Sequence, residues 1–110
     1  MKPENMVLNK NDLTNIKLID FGSGVLMDSS CRPTYIQSRF YRAPEITFGL
    51  RYDYKIDSWS IGALLLELHT TYTMFPAKSS FMLMRMFLSL LGFPPRHFVL
   101  DDHGEMRPKV

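Results

Sequence analysis

The sequence predicts an α+β chain in which one small hairpin is followed mainly by helices, and three observations predict it. Two short β-prone runs, Asn5-Met6-Val7-Leu8 and Ile16-Lys17-Leu18-Ile19, flank a stretch of turn formers from Asn9 to Asn15. Two later stretches are apolar at helical length, and the second is closed by Gly92 and Pro94-Pro95. Between the hairpin and the helices, residues 22–42 lose all periodicity and read as a long loop, a kind that is usually functional or disordered.

Each element has a local reason. In Pro44-Glu45-Ile46-Thr47-Phe48-Gly49 a Pro stands near the first turn of a short helix and a Gly just past its end. Asp53 or Asp57 starts the next helix, which carries Ile56, Trp59, Ile61, Ala63, Leu64, Leu65, Leu66 and Leu68. Its apolar residues go nearly all the way round, so the pattern predicts a buried central helix. The following helix begins at Ser79 or Ser80 and runs to about Leu91, with Arg85 and Ser89 as its only polar breaks. Its Met82, Met84 and Met86 read as core or as an uncovered interface rather than as a binding groove. After Arg96 the chain is polar and aperiodic.

Composition narrows the class. A chain of 110 residues allows one domain at most, and 45% hydrophobic with 13% aromatic content is globular rather than disordered. The formal net charge of +2 is too small, and the basic residues too dispersed, to imply nucleic-acid binding. Cys31 is alone, which excludes an intrachain disulfide and fits a reducing compartment. No secretory signal pattern opens the chain. Neither apolar stretch approaches the ~20 residues that a bilayer requires. His69, His97 and His103 have no metal-ligand spacing. The expectation is a soluble, intracellular protein.

Four short motifs stand in a fixed order. Lys2-Pro3-Glu4-Asn5 comes first, then Asp20-Phe21-Gly22 one hairpin later, Ala43-Pro44-Glu45 one loop after that, and finally Asp57-Ser58-Trp59-Ser60-Ile61-Gly62. Taken singly, Asp20 reads as a turn residue and Asn5 as a strand cap. Together these residues resemble the C-terminal lobe of a eukaryotic protein kinase over residues 1–96, with 97–110 as a polar tail beginning a truncated insert. The implied fold is a partial kinase-like C-terminal lobe. The resemblance implies that Asp20 and Asn5 hold Mg²⁺ and that Lys2 lies near the transferring phosphate. It implies that Phe21 packs to set Asp20 while Gly22 permits the turn. Glu45, Asp57 and Trp59 would be structural. Asp57 would anchor the catalytic-loop backbone by hydrogen bonds, and Glu45, lacking the Arg of a later helix, is expected to be unpaired.

Thr34-Tyr35-Ile36-Gln37-Ser38-Arg39-Phe40-Tyr41-Arg42 is similar to the dual-specificity tyrosine-regulated and homeodomain-interacting protein kinases. Leu90-Leu91-Gly92-Phe93-Pro94-Pro95 resembles the wider group that includes the cyclin-dependent and mitogen-activated kinases. Pro33-Thr34 leans toward the homeodomain-interacting branch, and both branches stay open. Tyr35 is the candidate phosphosite, with Arg39 and Arg42 four and seven residues on to pair with the added charge. Ser29, Ser30 and Thr34 receive no role.

The family's catalytic-loop Asp would fall two places before Lys2, ahead of Met1. The 110 residues also contain no Gly-rich loop, no strand Lys paired with a helix Glu and no His-Arg-Asp triplet. The expectation is a piece of a kinase that phosphorylates protein Ser/Thr with ATP and Mg²⁺ in the nucleus or cytoplasm, inactive by itself and not binding ATP alone. Its partners would be protein substrates and the missing kinase lobe. A pseudokinase-like remnant acting as a binding or competing module is the alternative, and a non-functional translated fragment is a third.

Overall fold

A computed structural model describes residues 1–26, 35–100 and 103–105 of the chain. Cys31, Ser29, Ser30 and Thr34 lie outside the described residues. A 3-10 turn at Pro3–Asn5 leads into β1 (Met6–Asn9), which pairs antiparallel with β2 (Asp12–Leu18). The pairing runs from Met6 opposite Leu18 to Asn9 opposite Asp12, with an irregularity between Leu8 and Asn9.

The hairpin departs from expectation in one respect. The stretch from 9 to 15 is mostly strand, and only Lys10 and Asn11 form the turn. Side chains make this possible: Asn9 Oδ1 accepts the Asn11 N–H at 3.1 Å, and Asp12 Oδ1 accepts Thr14 N–H at 3.0 Å and Thr14 Oγ1–H at 2.6 Å. Two such Asx contacts reverse the chain within two residues and leave the rest extended.

Helix α1 (Pro44–Thr47) opens on its Pro, and Gly49 follows it in the left-handed region at φ 70°. The Leu50 N–H turns back to Glu45 O at 2.8 Å. Helix α2 (Lys55–Thr70) starts where Asp53 Oδ1 accepts the Lys55 N–H at 2.8 Å, so Asp53 rather than Asp57 supplies the oxygen. It stops at Thr71, also left-handed (φ 64°), whose N–H reaches Glu67 O at 2.7 Å. Helix α3 (Ser80–Leu91) is capped by Ser79 Oγ, which accepts the Met82 N–H at 3.1 Å, and ends at Gly92 with φ 80°.

A fourth helical turn, α4 (Arg96–Val99), was not expected from the polar sequence. It brings the Phe98 ring edge-on to Phe48, with centroids 6.0 Å apart. One apolar side chain is enough to dock it, and a single residue has no period to read.

The core lies where α2 and α3 meet the segment joining them. Phe75, Ala77, Leu83 and Phe87 are buried together. Trp59 stacks on Phe75 at 5.8 Å and meets Phe87 edge-on at 5.4 Å, and Phe75 and Phe87 are themselves edge-on at 5.0 Å. Such geometries add to the area the rings bury. A second cluster of Ala43, Ile46 and Ile56 also packs against Trp59, which therefore joins the two.

The buried central helix is not what the structure contains. Helix α2 buries one stripe, Ile56, Ser60, Ala63 and Leu64, while Ile61, Leu65, Leu66 and Leu68 are exposed. The reason is that the described elements pack on one side of it only, and an all-round apolar pattern does not say which side is covered. Among the described residues no helix is long and apolar enough to cross a membrane.

Truncating Phe75, which is 2% exposed, to Ala should cost about 3–5 kcal/mol of unfolding free energy. Phe93→Ser, at a position 94% exposed, should stay within about 0.5 kcal/mol, both read from chemical denaturation.

Candidate functional site

The site is assembled by backbone bonds that close the hairpin's open end. Within the 3-10 turn the Asn5 N–H reaches Lys2 O at 3.1 Å, and the Ile19 N–H reaches Asn5 O at 2.9 Å. The second bond sets Asn5 beside the end of β2, one residue from Asp20. Asp20 itself is left-handed, with φ 61°, a conformation that Asp tolerates better than most residues. Its Oδ1 accepts the Gly22 N–H at 3.3 Å, and the Gly24 N–H returns to Phe21 O at 2.8 Å. The turn is tight: a Cβ on Gly24 would stand 3.0 Å from Phe21 O.

A cleft of about 660 Å³ is lined by Lys2, Asn5, Asp20 and Phe21 together with Tyr35 and Arg42. The sequence-predicted residues from both ends of the long loop therefore share one cavity. Phe21 does not pack down to set Asp20, being largely exposed, because no described element covers it. The Gly22 N–H and the left-handed backbone orient Asp20 instead. Asp57 lines the same cleft, with Oδ1 3.7 Å from the Met1 nitrogen. Glu45 makes no ion pair among the described residues, and its carbonyl is used by Leu50. Trp59 lies in the aromatic core. Among the described residues no group of three or more His, Cys, Asp or Glu could hold a metal.

Tyr35 is 66% exposed and sits among cations. Arg39 Nη2 donates to its hydroxyl at 3.4 Å, while Arg39 Nη1 is anchored on Lys78 O at 2.9 Å. The Arg42 guanidinium carbon lies 3.8 Å from the ring centroid, a cation–π contact. Arg42 is only 4% exposed and donates through Nε to Ile36 O at 3.0 Å and through Nη2 to Gln37 O at 2.8 Å. Hydrogen bonds from Arg39 first, then Arg42 and Ser80, lower the Tyr35 hydroxyl to about 8.

The residue that sequence reasoning missed is Gln37. It is left-handed (φ 67°), and its amide joins the loop to α2. Nε2 donates to Ile56 O at 2.8 Å and to Ser60 Oγ at 3.0 Å, and Oε1 accepts the Ala43 N–H at 2.9 Å. Ser60, fully buried, passes the bond on by donating to Tyr41 O at 2.7 Å. The available signals were its place in the Thr34–Arg42 stretch and its being the only Gln in the chain. Nearby, the Tyr41 hydroxyl donates to Glu67 Oε2 at 2.6 Å, and burial, followed by Glu67, pushes its ionisation well above the usual phenol range.

These features coincide with a known fold family. Residues 1–93 match the family model described as "Protein kinase domain". The chain belongs to the protein kinase family, and among curated proteins it is similar to the dual-specificity tyrosine-regulated group. It is 44% identical over 96 residues to dual specificity tyrosine-phosphorylation-regulated kinase 2 of Drosophila melanogaster, covering 87% of this chain and 13% of that protein. It is 42% identical over 99 residues to kinase 4 of the same name from Homo sapiens, covering 90% and 19%. The Caenorhabditis elegans kinase mbk-2 is 45% identical over 95 residues, covering 86% and 12%. The chain thus spans less than a fifth of the length of these curated relatives. All three carry the tyrosine-regulated name, whereas Pro33-Thr34 leans toward the homeodomain-interacting branch.

Two outcomes follow from this geometry. One tyrosine should titrate near pH 8 by ultraviolet absorbance, returning toward the ordinary value in Arg39→Ala. Because the folded value is lowered, the linked stability is present above the unfolded value near 10 and is lost as pH falls through about 8. Gln37→Ala should cost about 1–3 kcal/mol, because it strands the N–H of fully buried Ala43, and chemical denaturation measures it.

Proposed function

We propose that this chain is part of the C-terminal lobe of a protein kinase that phosphorylates Ser/Thr of protein substrates and is itself modified on Tyr35. The observation that carries the reading is the shared cleft. It places Lys2, Asn5 and Asp20 around one cavity with Tyr35 and Arg42 on its lining. The donor chemistry suits Mg²⁺: a carboxylate and an amide oxygen are hard ligands of the kind that ion takes alongside phosphate oxygens. Asp20 and Asn5 would hold Mg²⁺, and Lys2 would contact a phosphate of ATP. Bound there, the metal would neutralise charge on the phosphates. Asp20 is held in place by its turn, Asn5 by the closure of the hairpin, and Lys2 supplies positive charge at the cleft.

The relatives' names support Tyr35 as the modified residue, and so do the two arginines set against its ring and hydroxyl. Place of action is inferred from the resemblance alone, as nucleus or cytoplasm. The 110 residues by themselves would neither bind Mg·ATP nor transfer phosphate, because phosphoryl transfer needs all its parts assembled. A binding or competing module is the second reading, and the exposed apolar rows of α2 and α3 favour it.

In the native protein that carries this chain, Asp20→Asn, Asn5→Ala and Lys2→Ala should each lower peptide phosphorylation by at least ~100-fold with the fold retained. Unchanged activity in Asp20→Asn would exclude the reading. For the isolated chain, calorimetry should register no Mg·ATP binding, and saturable micromolar binding would overturn that expectation. A native mass near 12.8 kDa would turn the choice toward the binding module.

A further inference from the structure

We propose that the outward face of α3, with Phe93 just past its end, rests on an anionic lipid surface as a peripheral contact rather than a span. The proposal is independent of the phosphoryl-transfer reading, and either can fail without the other. Leu83 and Phe87 turn into the core, while Phe81, Arg85 and Leu88 follow at i, i+4 and i+7 on the opposite side of the helix. Phe81 is 70% exposed, and Met82 and Leu88 are exposed beside it. Phe93 stands almost wholly in solvent, held out between Gly92, at φ 80°, and Pro94.

Charge decides what such a face can meet. All 11 Asp and Glu residues of the chain lie outside residues 68–100, a stretch that contains Lys78, Arg85 and Arg96. Of the segments packed on α3, the turn at Arg39–Tyr41 adds a further cation, and α1 adds Glu45, which is half-buried. Arg85 makes no ion pair among the described residues. A second copy would set these cations against themselves, which opposes self-association through this face. An anionic bilayer complements it: the apolar side chains enter the acyl boundary while the Lys and Arg stems reach back to the headgroups. Side chains that stand out singly from a helix enter a fluid boundary without a matching pocket, which a protein partner would have to supply.

The full chain should sediment with phosphatidylcholine vesicles that contain phosphatidylserine, stay in solution with phosphatidylcholine alone, and lose binding as salt is raised. Arg85→Glu reverses one charge and should weaken the binding by about tenfold or more. Phe81→Ser combined with Phe93→Ser removes two inserted rings and should weaken it by at least about tenfold. All three positions are exposed, so the fold is retained, which circular dichroism checks.

Leu13→Ser is the control. Leu13 is as exposed as Phe81 but lies on β2, and its loss should leave vesicle binding unchanged. Equal binding to the neutral vesicles, or equal weakening by Leu13→Ser, is unspecific adhesion of apolar surface and would overturn the proposal. No binding to the phosphatidylserine vesicles would overturn it too, and would leave an acidic protein surface as the occupant of this face.

Discussion

The amide of Gln37 is the constraint on which the rest of this structure depends. Its nitrogen serves Ile56 O and Ser60 Oγ, its oxygen serves Ala43 N, and Ser60 hands the chain of bonds on to Tyr41 O. Every group in that chain is wholly or partly buried, and the Ala43 N–H depends on the Gln37 amide oxygen for its partner, so losing that side chain leaves a buried donor unmet. The left-handed backbone at Gln37 is the strained element these bonds hold in place. It lets the Gln37 carbonyl meet Arg42, and Arg42 in turn lies against the Tyr35 ring. The placement of the tyrosine thus traces back to a loop side chain locked onto α2.

Around that lock the chain divides by chemistry. One side is a polar loop in which arginines are held by backbone carbonyls, so that their charges are fixed while some of their donors stay unused. The other is a small aromatic core in which Trp59, Phe75 and Phe87 supply the cohesion. Trp59 touches both core clusters, which couples the start of α1 to the start of α3 without any further polar bond. Tyr41 spans the two chemistries, its main chain accepting from Ser60 and its hydroxyl bound to Glu67.

What was legible in the sequence was whatever is decided locally. Ser79 as a cap, Gly92 as a stop, and Pro44 and Gly49 around α1 all depend on a few neighbouring residues. What escaped was decided by partners distant in sequence. The exposed side of α2 could not be read from a helix that is apolar all round, and the exposure of Phe21 depends on what covers it. Gln37 was part of a recognised pattern, yet its role exists only because Ser60 lies opposite, 23 residues away. The hairpin turn misled for another reason: Asn and Asp side chains can make a reversal in two residues or in seven, and composition does not distinguish the cases.

The position of Trp59 has a consequence for how this molecule can be watched. It is the only tryptophan in the chain, and it lies among Phe75 and Phe87 in the helical half. The hairpin has no tryptophan, and every residue of β2 is exposed, so it shares little of that core. Fluorescence will therefore follow the melting of the aromatic cluster and remain blind to fraying of β1 and β2, the two strands that position Asn5 and Asp20. A chain that looks intact by emission can already have lost the edge that carries Asn5 and Asp20.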